Sequence, residues 1–191
     1  MKKAIVVLSA VTIAVWACNN ETKDSVEKAD SANAAKIDSP SVNQPIKADE
    51  ESASFMVKAA DAGMAEVQMG QMAQSKAVDA KVKSFAAMMV HDHSAANDQV
   101  KMLAVQRNVT LPDSVSDDHK KMENDLSKKT GKAFDKAYMD DMVNGHEKVR
   151  DLFEKAGDKV NDTEVKNFIN NTLPAIKMHL DSARAIRKSL K

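Results

Sequence analysis

This sequence is poor in the residues that make turns and in those that make cross-links: five glycines, four prolines and one cysteine. So few turn residues exclude a turn-dense all-β sandwich or barrel. A lone cysteine excludes an intramolecular disulfide, so the fold has to stand on packing alone. Aromatic residues are scarce too, with five Phe, one Tyr and one Trp. No excess charge of either sign is present, because 28 Lys+Arg balance 28 Asp+Glu. That balance provides neither the electrostatic footprint of a nucleic-acid binder nor a polybasic membrane patch. A Gly-rich phosphate loop, a Walker sequence, a nucleophile elbow and paired CxxC motifs are all missing, which removes the motif-bearing nucleotide and hydrolase classes. What the chain does have is twelve methionines and a long helical pattern.

The first residues read as an export signal. Lys2-Lys3 make a short positive start and Ala4 to Ala17 a mostly apolar run, too short for a comfortable membrane span but suited to a signal-peptide core. The run ends at Val15-Trp16-Ala17-Cys18, which resembles a bacterial lipoprotein processing site, where a small residue precedes a cysteine that receives lipid. Trp16 is bulkier than the usual residue at its place, and an ordinary secretory signal with an incidental cysteine is the plainer alternative. The expectation is a signal peptide over 1–17 and a membrane anchor at lipidated Cys18, with the protein held in the cell envelope, at an outer membrane and facing periplasm or surface. Residues 18–51 contain Pro40 and Pro45, no aromatic residue and few strongly apolar ones. Such a composition predicts a disordered tether, reaching roughly 30 Å at about 5–6 Å × √n.

From Ser52 the apolar positions follow a helical period and nowhere alternate as strands do. A first helix is predicted over about 55–75, with a stripe of small residues at Ala59, Gly63, Gly70, Ala73 and Ala77. A second starts from Asp79 as N-cap and carries Val82, Ala86, Met89, His93, Ala96, Val100 and Leu103, spaced alternately by four and three. It ends before Leu111-Pro112, and a short helix over 116–129 follows in a polar crossover. The third main helix begins after Gly131 and is expected to stop at Gly157. The fourth follows a capping box at Asn161–Glu164 and should bend at Pro174. Two hairpins joined by one long crossover predict an all-α, ferritin-like four-helix bundle over 52–191. An internal repeat supports the pseudo-symmetry: Phe85-x-x-x-Met89-Val90-x-x-His93 recurs as Tyr138-x-x-x-Met142-Val143-x-x-His146.

Each predicted helix places one polar residue in its apolar seam: Glu66, His93, His146 and His179. Each hairpin pair straddles its turn evenly, so all four are expected at one height in the core. Three imidazoles and a carboxylate are a ligand set for a first-row divalent ion such as Cu, Zn or Fe. Met89 and Met142 each precede a histidine by one helical turn, and a thioether there would favour copper. The same residues also suit a metal-free reading, in which a buried Glu66–histidine network and methionine filler complete the core of an interaction module that takes an envelope protein or cell-wall partner. His91, His119 and Asp92 are expected to stand outside this set, Asp92 because a helix turns it about 100° from His93. No catalytic residue is assigned.

The chain resembles a known family at Glu66-Val67 with Gly70, at Met89-Val90-x-Asp92-His93-x-x-Ala96-Asn97, and at Leu111-Pro112. The match continues at Gly131-x-x-Phe134-Asp135-x-x-Tyr138-x-x-x-Met142-Val143-x-x-His146 and Thr172-Leu173-Pro174-x-x-x-x-His179-Leu180. This is the ferritin-like family of bacterial envelope proteins labelled putative outer-membrane protein and carried as a domain of unknown function. The resemblance implies a helical bundle in the envelope and no established activity. Di-iron members of the wider ferritin-like group use Glu-x-x-His pairs, whereas Val90, Val143 and Ile176 stand three residues before these histidines. A di-metal oxidase is therefore poorly supported.

Overall fold

The computed structural model describes residues 23–38 and 48–190. The signal segment, Cys18 and the parts of the expected tether at 19–22 and 39–47 lie outside these residues. The described residues form six helices: α1 (Ser25–Asp38), α2 (Glu50–Lys76), α3 (Ala80–Gln106), α4 (Asp117–Ser127), α5 (Gly131–Lys159) and α6 (Thr163–Ser189). The expected all-α architecture is present. Helices α2 and α3 form one hairpin and α5 and α6 the other, with α2 also packed on α5 and α3 on α6.

Capping explains where the main helices start. Asp49 accepts from Ser52 N, Asp79 from Lys81 N and Val82 N, and Asp162 from Glu164 N and Val165 N. Each carboxylate satisfies orphan amides of a first turn and suits the positive end of the helix. One end differs from expectation: α5 runs through Gly157 to Lys159. Pro174 lies inside α6, where the sequence placed it.

The crossover climbs the outside of the bundle. At its start Arg107 pairs with Asp162 in the α5–α6 turn, with Nε 2.5 Å from Oδ2. Midway, Ser116 N donates to Asp61 of α2 at 2.7 Å, and His119 Nδ1 lies 3.0 Å from the same carboxylate. At its end Lys76 reaches the Ser127 carbonyl. Asp135 of α5 then accepts from Val78 N and Asp79 N in the α2–α3 turn. These ties make α3 and α5 run the same way, as a ferritin-like bundle requires.

One expectation is corrected here. Residues 25–38, assigned by composition to a disordered tether, form α1, and α2 begins at Glu50. α1 docks through polar side chains: Asn33 Nδ2 donates to Thr110 O at 2.9 Å while Thr110 N donates to Asn33 Oδ1 at 2.7 Å. Ser25 Oγ adds a bond to Asp113 at 2.9 Å. An apolar count cannot register a helix held this way.

The core has two apolar clusters. One, toward the α2–α3 turn, contains Met69, Phe85, Met89, Phe134, Tyr138, Met142 and Leu180. The other contains Phe55, Met56, Val100, Phe153, Phe168 and Ile176. Along the chain, Glu66, His93, His146 and His179 fall at the junction of the two.

Candidate functional site

The four polar seam residues do meet. Glu66, His93, His146 and His179 are all buried, His146 completely. The three imidazole rings form a near-equilateral triangle with centroids 5.5 Å (His93–His146), 5.3 Å (His93–His179) and 5.6 Å (His146–His179) apart. Each ring brings a ligand-capable nitrogen within 4.8 Å of the other two.

Each ring has one nitrogen held and one left over. His146 Nδ1 donates to the Met142 carbonyl at 2.9 Å, one turn back on α5. His179 Nε2 is 2.9 Å from Asp92 Oδ2, and His93 Nδ1 is 2.8 Å from Glu66 Oε2. The last contact is an ion pair whose direction is off the donor axis, since both Glu66 oxygens lack a hydrogen-bond partner. The remaining nitrogens, Nε2 of His93, Nε2 of His146 and Nδ1 of His179, are buried and have no hydrogen-bond partner. Leaving one polar atom in this state costs about 1–3 kcal/mol, and here all three rings of one packed cluster carry such an atom.

Charge is distributed unevenly over the cluster. Burial raises the Glu66 pKa, but the His93, His146 and His179 charges outweigh it and hold the carboxyl at about 2. Burial depresses His93, yet the Glu66 charge beside it leaves its pKa raised. Burial depresses His146 and His179, with neighbouring imidazoles adding to the effect. The cluster therefore combines an ionised carboxylate, one imidazole that keeps its proton more readily and two that shed theirs. Tyr138 lies at the edge of this field. Its hydroxyl is buried without a partner, and its pKa is pushed up by burial and by Glu66.

The residues read from the sequence are placed as follows. His93, His146 and His179 converge. Glu66 lies against the Nδ1 edges of His93 and His146, 3.3 Å from the latter, rather than among the three convergent nitrogens. Met142 reaches the site through its carbonyl, and Met89 is fully buried in the first apolar cluster. His91 is exposed, 2.7 Å from Asp92. Asp92 is the residue the sequence reading set aside and the structure brings in. It does leave the α3 seam, but in doing so it reaches α6.

A family model described as a domain of unknown function (DUF4142) matches residues 37–186. The DUF305 fragment from Deinococcus radiodurans, known from a crystal structure, superposes with a TM-score of 0.67 at 11% identity, over 75% of this chain and 99% of that one. CopM in its Cu(II)-bound form superposes with a TM-score of 0.64 at 14% identity, over 73% of this chain and 97% of that one. At such identities the likeness shows the fold alone. No curated protein matches the chain.

Proposed function

The chain belongs to the family of the domain of unknown function DUF4142, and from the site it carries we propose that it binds a transition-metal ion through His93, His146 and His179. One observation carries this reading. His146 and His179 are each held at one nitrogen by a carbonyl or a carboxylate, His93 has one nitrogen 2.8 Å from Glu66, and the other nitrogen of each ring is buried without a hydrogen-bond partner. Histidines that ligate metals are held in this way, because the outer bond fixes the tautomer and leaves the inner lone pair free. Glu66, Asp92 and the Met142 carbonyl then serve as outer supports, and Glu66 offsets the charge of the ion.

Three nitrogen ligands leave a coordination position open, which suits holding and passing on an ion better than a closed structural site. Tetrahedral binding at about 2.0–2.1 Å sets the nitrogens roughly 3.3 Å apart, so loading draws the rings inward. Copper is the first metal to test, because a protein of the same fold is named in a Cu(II)-bound form. The test is a melting curve of the purified chain with Cu, Zn, Fe and Mn. A bound ion at a hundredfold excess over Kd adds about 2.7 kcal/mol, and His146→Ala abolishes the gain. A melting temperature indifferent to all four metals would overturn the reading and leave a metal-free bundle organised by the Glu66–His93 pair.

We propose further that lipid on Cys18 anchors the domain to the envelope membrane. The support is the signal-like run ending at that cysteine. Cys18→Ser should release the chain from the detergent phase, and unchanged membrane association would remove the claim.

A further inference from the structure

Four glycines lie inside the paired helices, Gly63, Gly70, Gly145 and Gly157, and close packing explains the first two. A Cβ at Gly63 would fall 2.0 Å from Asn97 Oδ1, and one at Gly70 would fall 2.9 Å from Val90 Cγ2 and 3.2 Å from the Ala86 carbonyl. The third, Gly145 of α5, directly precedes His146. A Cβ there would meet nothing within 4 Å, and its φ is not in the left-handed region. Packing therefore does not call for glycine here, and the space beside Gly145 is open.

Gly145 lines a cavity of about 220 Å³ between α2, α4 and α5. The cavity reaches the surface beside exposed Lys58, Asn144 and Lys148 and ends inward at Glu66. Glu66 is only 4% exposed, and both its oxygens lack a hydrogen-bond partner. On its far side the same carboxylate touches His93 and His146. It is thus the wall between the cavity and the imidazoles. The approach to it is lined by Met69, Met122 and Met142, by His119, whose Nδ1 lies 3.0 Å from Asp61, and by the Asp141 carboxylate; the methionines favour a soft monovalent ion.

From this arrangement we propose that the cavity is the path by which a cuprous ion reaches the three imidazoles, with the methionines as passing ligands and Gly145 as an open position on its wall. The proposal rests on the metal reading of the triad. It predicts that blocking the cavity changes rates and leaves affinity alone.

The experiment loads the purified full chain anaerobically with Cu(I) and follows its extraction by bathocuproine disulfonate in a stopped-flow instrument. Gly145→Ala should exchange Cu(I) within about twofold of the parent rate, because a methyl fits without contact. Gly145→Phe should slow loading and extraction tenfold or more with an unchanged equilibrium constant. Ala62→Phe, which fills the same cavity from α2, should do the same and covers the case in which Gly145→Phe does not fold. Met122→Leu keeps the shape but removes a thioether, and should slow Cu(I) several-fold while leaving Zn(II) exchange as it was. Parent-like rates in the folded blocking variants, or equal effects of Met122→Leu on both ions, overturn the proposal while the triad still binds. If the parent chain takes up no metal, the function proposed above fails first and this inference falls with it.

Discussion

Asp92 holds His179 from a helix that already supplies another histidine of the cluster. Its carboxylate is kept ionised against its own desolvation by the bonds from His91 and His179. Substituting Asp92→Asn preserves size but removes the charge and weakens the preference for a proton on His179 Nε2. Metal affinity should fall roughly 10–100-fold, the usual cost of losing such an outer support. Because the Asp92 side chain is 33% exposed, the melting temperature of the metal-free chain should change little. A titration by calorimetry separates the two quantities. At this scale the histidines were legible because each interrupts an apolar stripe of its own helix. Asp92 was not, since sequence periodicity describes one helix at a time and the partner of Asp92 lies on another. The outward role of Glu66 was hidden for a related reason: height in a bundle can be counted, but the edge of a ring that a carboxylate meets cannot.

At the level of helices, the caps Asp79 and Asp162 and the short turns were readable because their signals are local, whereas the Asp49 cap was lost inside the expected tether. The end at Gly157 was misread. Its Cβ would sit 3.6 Å from Ile169 Cγ2, an ordinary contact, and nothing there requires the helix to stop. α1 was missed because its docking is polar, through Ser25 and Asn33, and a tether and a polar helix share the same composition. The Asn33–Thr110 pair makes this testable. Asn33→Ala leaves a carbonyl and an amide of the crossover without their partner and should cost about 1–3 kcal/mol locally. Amide exchange in 25–38 should accelerate by one to two orders of magnitude, while α2, α3, α5 and α6 keep their protection. Uniform loss of protection across the bundle would show that α1 is integral to the core rather than applied to it.

The stability of the whole molecule should respond to acid and base through different groups. His119 is raised, first by its bond to Asp61 and against some desolvation. Its contribution is present below the unfolded value near 6.5 and is lost as pH rises through the folded value. Desolvation pushes Asp61 up, but the His119 and Ser116 bonds bring it below its ordinary value, so it stays ionised at pH 5. The two together stabilise a mildly acidic window. His119→Gln should therefore lower the melting temperature at pH 5, by the equivalent of about 1 kcal/mol for a partly exposed charged bond, and make little difference at pH 9. His146 and His179 act in the opposite sense. Their pKa values are depressed, so the unfolded chain gains protons near pH 6.5 that the folded chain refuses, and acidification costs stability. Replacing either by Phe should flatten the acid limb of a thermal-melt series.

The polar layer between the two apolar clusters has a consequence for how the bundle comes apart. A continuous core transmits loss of packing from end to end, whereas a plane of four polar residues contributes little adhesion between the halves it separates. The end holding Phe134 and Tyr138 and the end holding Phe55 and Phe168 can then loosen at different temperatures, although the same four helices thread both. An ion bound to His93, His146 and His179 would rivet α3, α5 and α6 at that plane. Loading should thus sharpen the calorimetric transition as well as raise it, bringing the van't Hoff enthalpy toward the measured one.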